Sequence, residues 1–369
     1  MGILKSGLFY FAYDYDLTNT QQKLAQCLNE FRDELVDDSA ALKVIEPAIF
    51  DLANDTYWWN AALQQPFVQR HTECAEFILP LICGFVGHLP TTLPAAANSE
   101  IDVDILLVSR IHRHRVGTRY TRRGLDRKGF AANFVESELL VVTDNDVASF
   151  VQVRGSVPWL WSQKINLAYK PPIQIEPMTS TWAQEACERH MLMLKAIYGD
   201  SLVLLNLLNG RGFEAPLTQM YSDAVSKNQT IAVEYHHFDL NMRPLTAARK
   251  NLDRLFIVVN DAVSHQGFCH ARWDTRRATK MHVFKQQSGI IRTNCLDCLD
   301  RTNMIEYIIS NVALVDMLTA VGVHVPQQKA MDPNDFNVLA LREIFGPRGL
   351  AQYRQLWVQN GDAIAFQCM

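Results

Sequence analysis

The sequence predicts a mixed α/β protein in which a mixed sheet carries a catalytic loop. Segments with the composition of strands alternate with segments whose apolar residues recur at helical spacing, which is typical of this class. A Cys-x5-Arg motif also stands between a strand-like segment and a helix-like one. At 369 residues, 48% of them hydrophobic, the chain is long enough to bury one large core or two smaller ones.

The composition and spacing of apolar residues predict three strands and two helices. The strand segments, rich in apolar and β-branched residues, are DILLVSR, FAANFVESELLVV and SLVLLNLL. The segments with helical spacing are TWAQEACERHMLMLKAIYG and MRPLTAARKNLDRLFIVVNDAV. The polar sequence from Gly124 to Gly129, with glycine at both ends, predicts a hairpin loop joining arms that contain Tyr120 and Phe134.

A linker is predicted from Gly87 to Glu100, where Pro, Thr and Asn cluster between an apolar stretch and a strand-like one. We therefore expect a boundary that divides the chain into an N-terminal subdomain, residues 1–95, and a catalytic domain, residues 96–369. No repeat or low-complexity segment is visible in either part.

Composition indicates the compartment. Eight cysteines at irregular spacing, without a secretory pattern at the N-terminus, predict reduced thiols and a cytoplasmic protein. The longest apolar run, Phe77 to Val86, is too short for a spanning helix, which needs about 20 residues. The formal net charge of -4 by itself indicates neither a nucleic-acid nor a membrane partner, because the position of the charges decides such binding.

The Cys-x5-Arg motif, Cys295 to Arg301, has the spacing that phosphoryl transfer to a thiolate requires. A short loop can curl around a phosphate with its N–H groups inward, while the planar arginine fork returns across the oxygens. The following helix is predicted to be capped by Thr302 or Asn303, and its N-terminus favours negative charge. These features predict a lowered pKa for the Cys295 thiol.

Cys295 and Cys298 also form a Cys-x-x-Cys pair, which is typical of redox sites and of zinc sites. No second pair of ligands stands at a familiar spacing, so neither a metal nor another cofactor is predicted. Cys298 is instead expected to be a packed thiol beside the active one.

The loop also contains two aspartates, which repel an anion unless they are protonated or turned away. We expect one of them to face outward, and Asp300 to hold the loop through backbone N–H groups or a basic neighbour. Asp297 is the candidate general acid for the leaving alkoxide, with Asp239 in HFDLN as the alternative donor.

The string RTNCLDCLDRTN resembles the catalytic signature of the Sac-domain phosphoinositide phosphatases. Further segments stand in the order of that family, and the resemblance covers nearly the whole chain. They include FYFAYDYDLTN, ILPLICGFV, VGTRYTRRGLDRKGFAANFVESE, SFVQVRGSVPWLWSQ, VLLNLL, HFDL and LWVQNGDAIA. Two departures are expected to matter: the N-terminal subdomain is reduced relative to the family, and Asn241 stands where a histidine is expected.

The resemblance implies a mixed-sheet Sac catalytic domain that removes phosphate from the inositol ring through a cysteinyl-phosphate intermediate, without a metal. It implies that Cys295 is the nucleophile, Arg301 the phosphate clamp and the backbone from Leu296 to Asp300 the cradle. The predicted substrate-binding residues are Asn294, Leu296, Cys298, Leu299, Asp300, Thr302 and Asn303. Arg154, in RGSVPWLW, is a second predicted phosphate contact.

Basic residues dominate the segment from Arg110 to Lys128. Such a segment can bind an anionic leaflet, and a solvated hairpin paired to Glu136 and Glu138 is the alternative. The predicted membrane-facing patch is Arg119, Arg122, Arg123, Arg127 and Lys128. Aromatic residues do not recur through it, so nucleic acid is not predicted, and nothing identifies a protein partner.

The predicted function is therefore that of a phosphoinositide phosphatase acting at a cytosolic membrane surface. Two alternatives remain open from the residues alone. One is a phosphatase of soluble inositol phosphates or phosphoproteins with the same nucleophile, and the other is a catalytically weak phosphoinositide-binding module.

Overall fold

The computed structural model describes residues 7–35, 47–70, 74–95, 99–118, 120–164, 171–228, 231–241, 245–273, 281–326 and 333–368. The described residues build a ten-stranded mixed sheet with helices on both faces, which confirms the predicted mixed α/β class and its mixed sheet. The strands are β1 (Phe9–Tyr10), β2 (Ile82–Pro94), β3 (Glu100–Ile111), β4 (Val135–Val142), β5 (Asp146–Arg154), β6 (Trp161–Gln163), β7 (Ile173–Ile175), β8 (Ser201–Asn206), β9 (Glu234–His237), β10 (Cys269–Trp273), β11 (Met281–Lys285) and β12 (Gly289–Asn294).

The helices connect these strands and cover the sheet. They are α1 (Gln21–Leu35), α2 (Ile49–Leu52), α3 (Ala61–Val68), α4 (Thr181–Tyr198), α5 (Ala215–Lys227), α6 (Leu245–Gln266), α7 (Asp300–Ala320) and α8 (Pro333–Cys368, kinked at Gly346). The segment DILLVSR lies within β3, the other two strand segments contain β4 and β8 but extend beyond them, and the two predicted helices are α4 and α6, so the existence of these elements is confirmed. The first three residues of the predicted second helix, 242–244, lie outside the described residues.

The sheet joins an antiparallel half to a parallel half. Its order is β1-β2-β3-β4-β5-β12-β8-β9, with β10 pairing β5 and β11, while β6 and β7 form a separate pair. Neighbours from β1 to β5 are antiparallel, whereas β12 runs parallel to both β5 and β8, and β9 runs parallel to β8. The carboxyl ends of β12, β8 and β9 therefore meet at one edge of the sheet.

Alternating side chains of the central strands feed two apolar cores. In β8, Val203 and Leu205 enter one core with α6, α7 and α8, whereas Leu202 and Leu204 enter the other with α4 and α5. Both faces are covered, and β8 at the centre of the parallel half is accordingly apolar from Leu202 to Leu205. This double coverage fixes the strand ends that carry the site.

The predicted linker is wrong, because Gly87 to Pro94 forms the second half of β2 and pairs with β3. Pro90 and Pro94 are tolerated there because β1 reaches only Ile82 and Cys83, so the rest of that side of β2 needs no strand partner. Helix α8 packs against β2 instead. The division into subdomains 1–95 and 96–369 stays a prediction.

The predicted hairpin from Gly124 to Gly129 is a tight turn inside a longer loop. A single bridge joins Leu125 and Ala131, and the N–H of Asp126 donates to the carbonyl of Phe130 at 3.0 Å. The arms with Tyr120 and Phe134 are not strands. We call residues 112–134 the basic loop, of which residue 119 lies outside the described residues.

Candidate active site

The catalytic loop, residues 295–299, connects β12 to α7. Strand β12 is held between β5 and β8, with Thr293 opposite Arg154 and Asn294 opposite Asn206. Helix α7 begins at Asp300, and Leu299 precedes it without a side-chain cap. The prediction of Thr302 or Asn303 as cap is therefore wrong, because both lie inside the first turn. The helix N-terminus still points at the loop, and its dipole favours an anion there.

The Cys295 sulfur lies in a setting that favours its thiolate. Its side chain is buried, and the backbone N–H of Cys298 donates to the sulfur at 3.1 Å. The pKa of Cys295 is lowered to about 6, first by hydrogen bonding from Cys298, with burial opposing the shift. Arg301 and the N–H groups of Leu299 and Asp297 lower this pKa further. A thiolate of this kind is the reactive form for attack on phosphorus.

Cys298 packs directly beside Cys295, as predicted. Its thiol contacts the carbonyl of Cys295 at 3.5 Å, and burial raises the pKa of Cys298 above its ordinary value. The residue has a φ of 56°, in the left-handed region that side chains other than glycine rarely occupy. This backbone geometry directs the N–H of Cys298 toward the sulfur of Cys295.

Arg301 is held by Glu214, a residue that the sequence analysis did not identify. Its Nη2 donates to Glu214 Oε1 at 2.9 Å, and its Nη1 donates to Glu214 Oε2 at 3.1 Å and to the carbonyl of Leu207 at 2.9 Å. Burial disfavours the guanidinium charge, but Glu214 and Cys295 outweigh it and raise the pKa of Arg301. Only the pairing of β8 beside β12 brings Glu214 here, so the local sequence carried no signal for it.

Arg123 holds the catalytic loop from the opposite direction. Its Nη1 donates to the carbonyl of Leu296 at 2.8 Å, its Nη2 to Asp297 Oδ1 at 2.5 Å, and its Nε to Gln163 at 2.8 Å. Only 4% of the residue is exposed. Its predicted place in a membrane-facing patch is therefore wrong, because the planar fork finds a carbonyl and a carboxylate inside the protein.

The two candidate acids, Asp297 and Asp239, and the loop aspartate Asp300 lie in different surroundings. Asp297 is ion-paired to Arg123 and has 33% of its side chain exposed. Asp300 is exposed in the first turn of α7, where its charge complements the helix dipole, as expected for an outward-facing aspartate. Asp239 accepts hydrogen bonds from the N–H groups of Gly210 and Asn241, just beyond β9.

Three of the remaining residues predicted to contact substrate make side-chain hydrogen bonds to other protein groups. Asn294 is buried and donates to Asn206 Oδ1 at 2.8 Å, and Thr302 donates to the carbonyl of Leu299 at 2.8 Å. Asn303 donates to the carbonyl of Trp357 at 2.8 Å. Leu296 and Leu299 are half-buried in the loop itself. Side-chain contacts of Asn294, Thr302 and Asn303 therefore shape the loop.

Comparison with known proteins identifies the family. The family model described as SacI homology domain matches residues 1–243 of the chain. The chain belongs to the SacI homology domain family. The matched segment includes the basic loop with Arg123 and also Glu214, the residues that contact Asp297 and Arg301 from outside the catalytic loop.

Curated relatives of this Sac domain resemble it over nearly its full length. Phosphatidylinositol-3-phosphatase SAC1-A of Danio rerio is 33% identical over 99% of the chain, covering 55% of that relative. Phosphoinositide phosphatase SAC7 of Arabidopsis thaliana is 31% identical over 97%, covering 53%. Phosphatidylinositol-3-phosphatase SAC1 of Saccharomyces cerevisiae is 29% identical over 98%, covering 53%. The chain thus spans about half the length of these relatives.

Arg154 of the Sac domain is not available as a second phosphate contact, so that prediction is wrong. It is fully buried, and its Nε lies 3.3 Å from Glu306 Oε2 on α7. Burial raises the pKa of Glu306 to about 7, although Arg154 and Ser137 lower it. Arg154 therefore ties β5 to the helix behind the catalytic loop.

Three members of the predicted basic patch of the Sac domain are exposed, namely Arg122, Arg127 and Lys128. Arg127 lies over the ring of Trp182 at 4.6 Å, and 53% of Trp182 is exposed. Arg119 lies outside the described residues. The predicted alternative was pairing of basic residues with Glu136 and Glu138. Arg110 makes both pairs inside the core, with its Nη1 at 3.2 Å from Glu136 Oε1 and its Nη2 at 2.7 Å from Glu138 Oε2.

Two further features concern metals and membranes. Within the described residues, His, Cys, Asp and Glu side chains do not gather in groups of three that could hold a metal ion. None of the helices in that part of the chain combines the length and the apolar character needed to span a bilayer.

Proposed function

We propose that this Sac domain is a phosphoinositide phosphatase that removes a phosphate from the inositol ring of membrane phosphoinositides. The observation that carries the proposal is the Cys295 sulfur, buried in a loop whose hydrogen-bond donors and Arg301 favour its thiolate. The relatives support the substrate class, because each is named as a phosphatase of phosphatidylinositol or of phosphoinositides.

The proposed reaction consists of two displacements at phosphorus. The Cys295 thiolate forms an S–P bond while the P–O bond to the ring breaks, and the leaving alkoxide takes a proton. Water then attacks the cysteinyl-phosphate, the S–P bond breaks, and inorganic phosphate leaves while the thiolate is restored. Arg301 and the N–H groups of the loop bind the non-bridging oxygens in both steps. No step uses a metal or another cofactor.

Asp297 is the proposed proton donor. Its carboxylate accepts a hydrogen bond from Arg123 at 2.5 Å, and a third of the side chain is exposed. Asp297 stands two residues after Cys295, where a carboxyl group can deliver a proton to the leaving alkoxide. Asp239 is the alternative donor, and comparing Asp297→Asn with Asp239→Asn in single-turnover kinetics separates them, because loss of the acid slows the release of the alkoxide.

The proposed location is the cytosolic face of a membrane, with peripheral binding through Arg122, Arg127 and Lys128. Each exposed basic residue near an anionic leaflet contributes about 1 kcal/mol to binding. Trp182 stacks with Arg127 and is exposed, and tryptophan favours the membrane–water interface. The basic loop that carries these residues also carries Arg123, which contacts the catalytic loop.

Phosphate release from a panel of substrates tests the proposal. The panel contains singly and doubly phosphorylated phosphoinositides, free inositol phosphates and a phosphotyrosine peptide. We expect release from the lipids, abolished in Cys295→Ser, retained in the matched control Cys27→Ser and unchanged by a chelator. Release only from the peptide or only from the free inositol phosphates would overturn the lipid assignment. A Cys295→Ser variant with the parent's rate would overturn the assigned nucleophile.

A further inference from the structure

A polar cavity opens at the sheet edge from which the catalytic loop also leaves. Its volume is about 600 Å³, and it lies beyond the carboxyl ends of β8 and β9, at the edge of the sheet where β12 leads into Cys295. Ligands of open parallel sheets bind outside the carboxyl ends of the strands. A volume of several hundred Å³ is ordinary for a small-molecule site.

The chemistry of the cavity wall points to a ligand that carries both anionic and hydroxyl groups. The wall residues that carry the argument are Asn209, Arg211, His237, Asp239, Asn241 and Arg254. Two guanidinium groups and one carboxylate line the cavity, and this excess of positive charge favours an anionic ligand. The amides and the Asp239 carboxylate offer acceptors that a bare phosphate cannot use but that hydroxyl groups can donate to.

The floor of the cavity is fixed before any ligand binds. The Asp239 carboxylate accepts from the N–H of Gly210 at 2.9 Å and from the N–H of Asn241 at 3.0 Å. The side-chain amide of Asn241 donates to Asn209 Oδ1 at 2.9 Å. Polar groups that are already ordered lose little freedom on binding, so they favour affinity and selectivity.

Arg254 is also held in place. Its guanidinium donates to the carbonyl of His237 and lies 4.7 Å from the centre of the Phe238 ring. An arginine carries five N–H donors, and the bond to His237 uses one of them. Arg254 can therefore bind a phosphate without leaving its position on α6.

The cavity and the catalytic arginine share one carboxylate. Glu214 Oε2 accepts from the backbone N–H of Asn209 at 2.6 Å and from Arg301 Nη1 at 3.1 Å. The cavity wall and the phosphate clamp are thus fixed relative to each other. Two groups of one ligand, spaced to match, would occupy both places together.

We propose that this cavity is the subsite for the part of the substrate that is not hydrolysed, namely a polyhydroxylated ring bearing a further phosphate. The assignment rests on the proposed function, because it takes the phosphate over Cys295 to belong to such a ring. Arg254 and Arg211 bind the further phosphate, and Asp239 and the asparagines accept from ring hydroxyls. Either a lipid headgroup or a free inositol phosphate carries this chemistry.

Kinetics on three substrates test the subsite. They are a short-chain phosphatidylinositol bisphosphate, the matching free inositol phosphate, and p-nitrophenyl phosphate, which has no ring hydroxyls or second phosphate. For Arg254→Ala and Arg211→Ala we expect kcat/KM to fall about tenfold or more on the first two substrates, since each variant loses a charged hydrogen bond. The value for p-nitrophenyl phosphate and the behaviour of the control Arg249→Ala, an exposed arginine on the same helix as Arg254, should not change.

Two outcomes would overturn the subsite. Equal losses on all three substrates would mean that the arginines support the catalytic loop only. A loss restricted to the lipid would mean that the cavity binds the glycerol or acyl part. The Arg211→Ala variant is expected to fold as the parent does, because Arg211 is exposed, so its loss of activity would not be due to misfolding.

A binding measurement separates this inference from the proposed function. Calorimetric titration of the free inositol phosphate into Cys295→Ser, with and without Arg211→Ala, requires no turnover. Affinity that falls about tenfold on the second substitution supports the subsite even where the parent releases no phosphate from lipid. Affinity that is unchanged by it overturns the subsite even where the parent is an active lipid phosphatase.

Discussion

Arg301 and Glu214 form a two-point ion pair, in which both terminal nitrogens of the guanidinium donate to both oxygens of one carboxylate. The pair joins the first turn of α7 to the segment that follows β8. It fixes the plane of the guanidinium while leaving it close enough to Cys295 for each group to shift the pKa of the other. Glu214 thus positions Arg301, the proposed phosphate clamp.

Replacing Glu214 by Gln should lower kcat/KM for a soluble phosphomonoester about tenfold, because Arg301 loses a charged two-point contact. The matched control is Glu185→Gln, which removes a surface pair with Arg189 one helical turn away and should leave kcat/KM unchanged. A Glu214→Gln variant as active as the parent would show that Arg301 needs no such support.

Cys298→Ala should raise the pKa of Cys295 from about 6 toward the ordinary value of about 8.5, because the largest lowering influence is removed. The fraction of thiolate at pH 6 falls in the variant and is restored at higher pH. The rate of alkylation by iodoacetamide as a function of pH measures this directly. Cys27→Ala is the control, and an unmoved inflection in Cys298→Ala would contradict the assigned role of its side chain.

Arg123→Ala and Arg122→Ala should behave differently although the residues are adjacent. Arg123 is buried against Leu296 and Asp297, so its loss should cost about 1–3 kcal/mol in the free energy of unfolding and reduce turnover of a soluble phosphomonoester. Arg122 is exposed, so its variant should match the parent in both. Chemical denaturation and steady-state kinetics provide the comparison, and equal effects of the two substitutions would refute it.

Neutralising Arg122, Arg127 and Lys128 together should weaken binding to vesicles rich in anionic lipid by about 1 kcal/mol per residue. The difference from the parent should shrink as salt rises, since exposed charges are screened. Vesicle sedimentation measures the binding. The control neutralises Arg249 and Lys250, exposed residues of α6 outside the basic loop, and comparable weakening there would argue against a specific face.

The features that the sequence predicts correctly are those set by neighbouring residues. The strand before Cys295, the helix after Arg301 and the lowered pKa of the thiol all arise within about 30 residues. The helix cap was predicted three or four residues late, since Thr302 and Asn303 are residue types that commonly cap helices while Leu299 is not. Tertiary packing, which holds Asn303 against Trp357, decides that boundary.

The features that the sequence analysis missed depend on the order of strands in the sheet. Glu214 contacts Arg301 from 87 residues away and Arg123 contacts Asp297 from 174 residues away, and no local pattern distinguishes them from other charged residues. The linker was assigned wrongly for a related reason. Proline in a sequence usually predicts a loop. An edge strand tolerates proline because one side of it needs no strand partner, and in β2 a helix packs there instead.

The 174-residue separation between Arg123 and Asp297 affects when their contact can form during folding. Contacts between such remote positions form late, because closing a long segment of chain costs entropy before the contact rewards it. During synthesis, Cys295 is made after Arg123 and Glu214 but before α8 is complete. The hydrogen bonds from Arg123 to Leu296 and Asp297 therefore add long-range support to a loop whose own residues already favour the Cys295 thiolate.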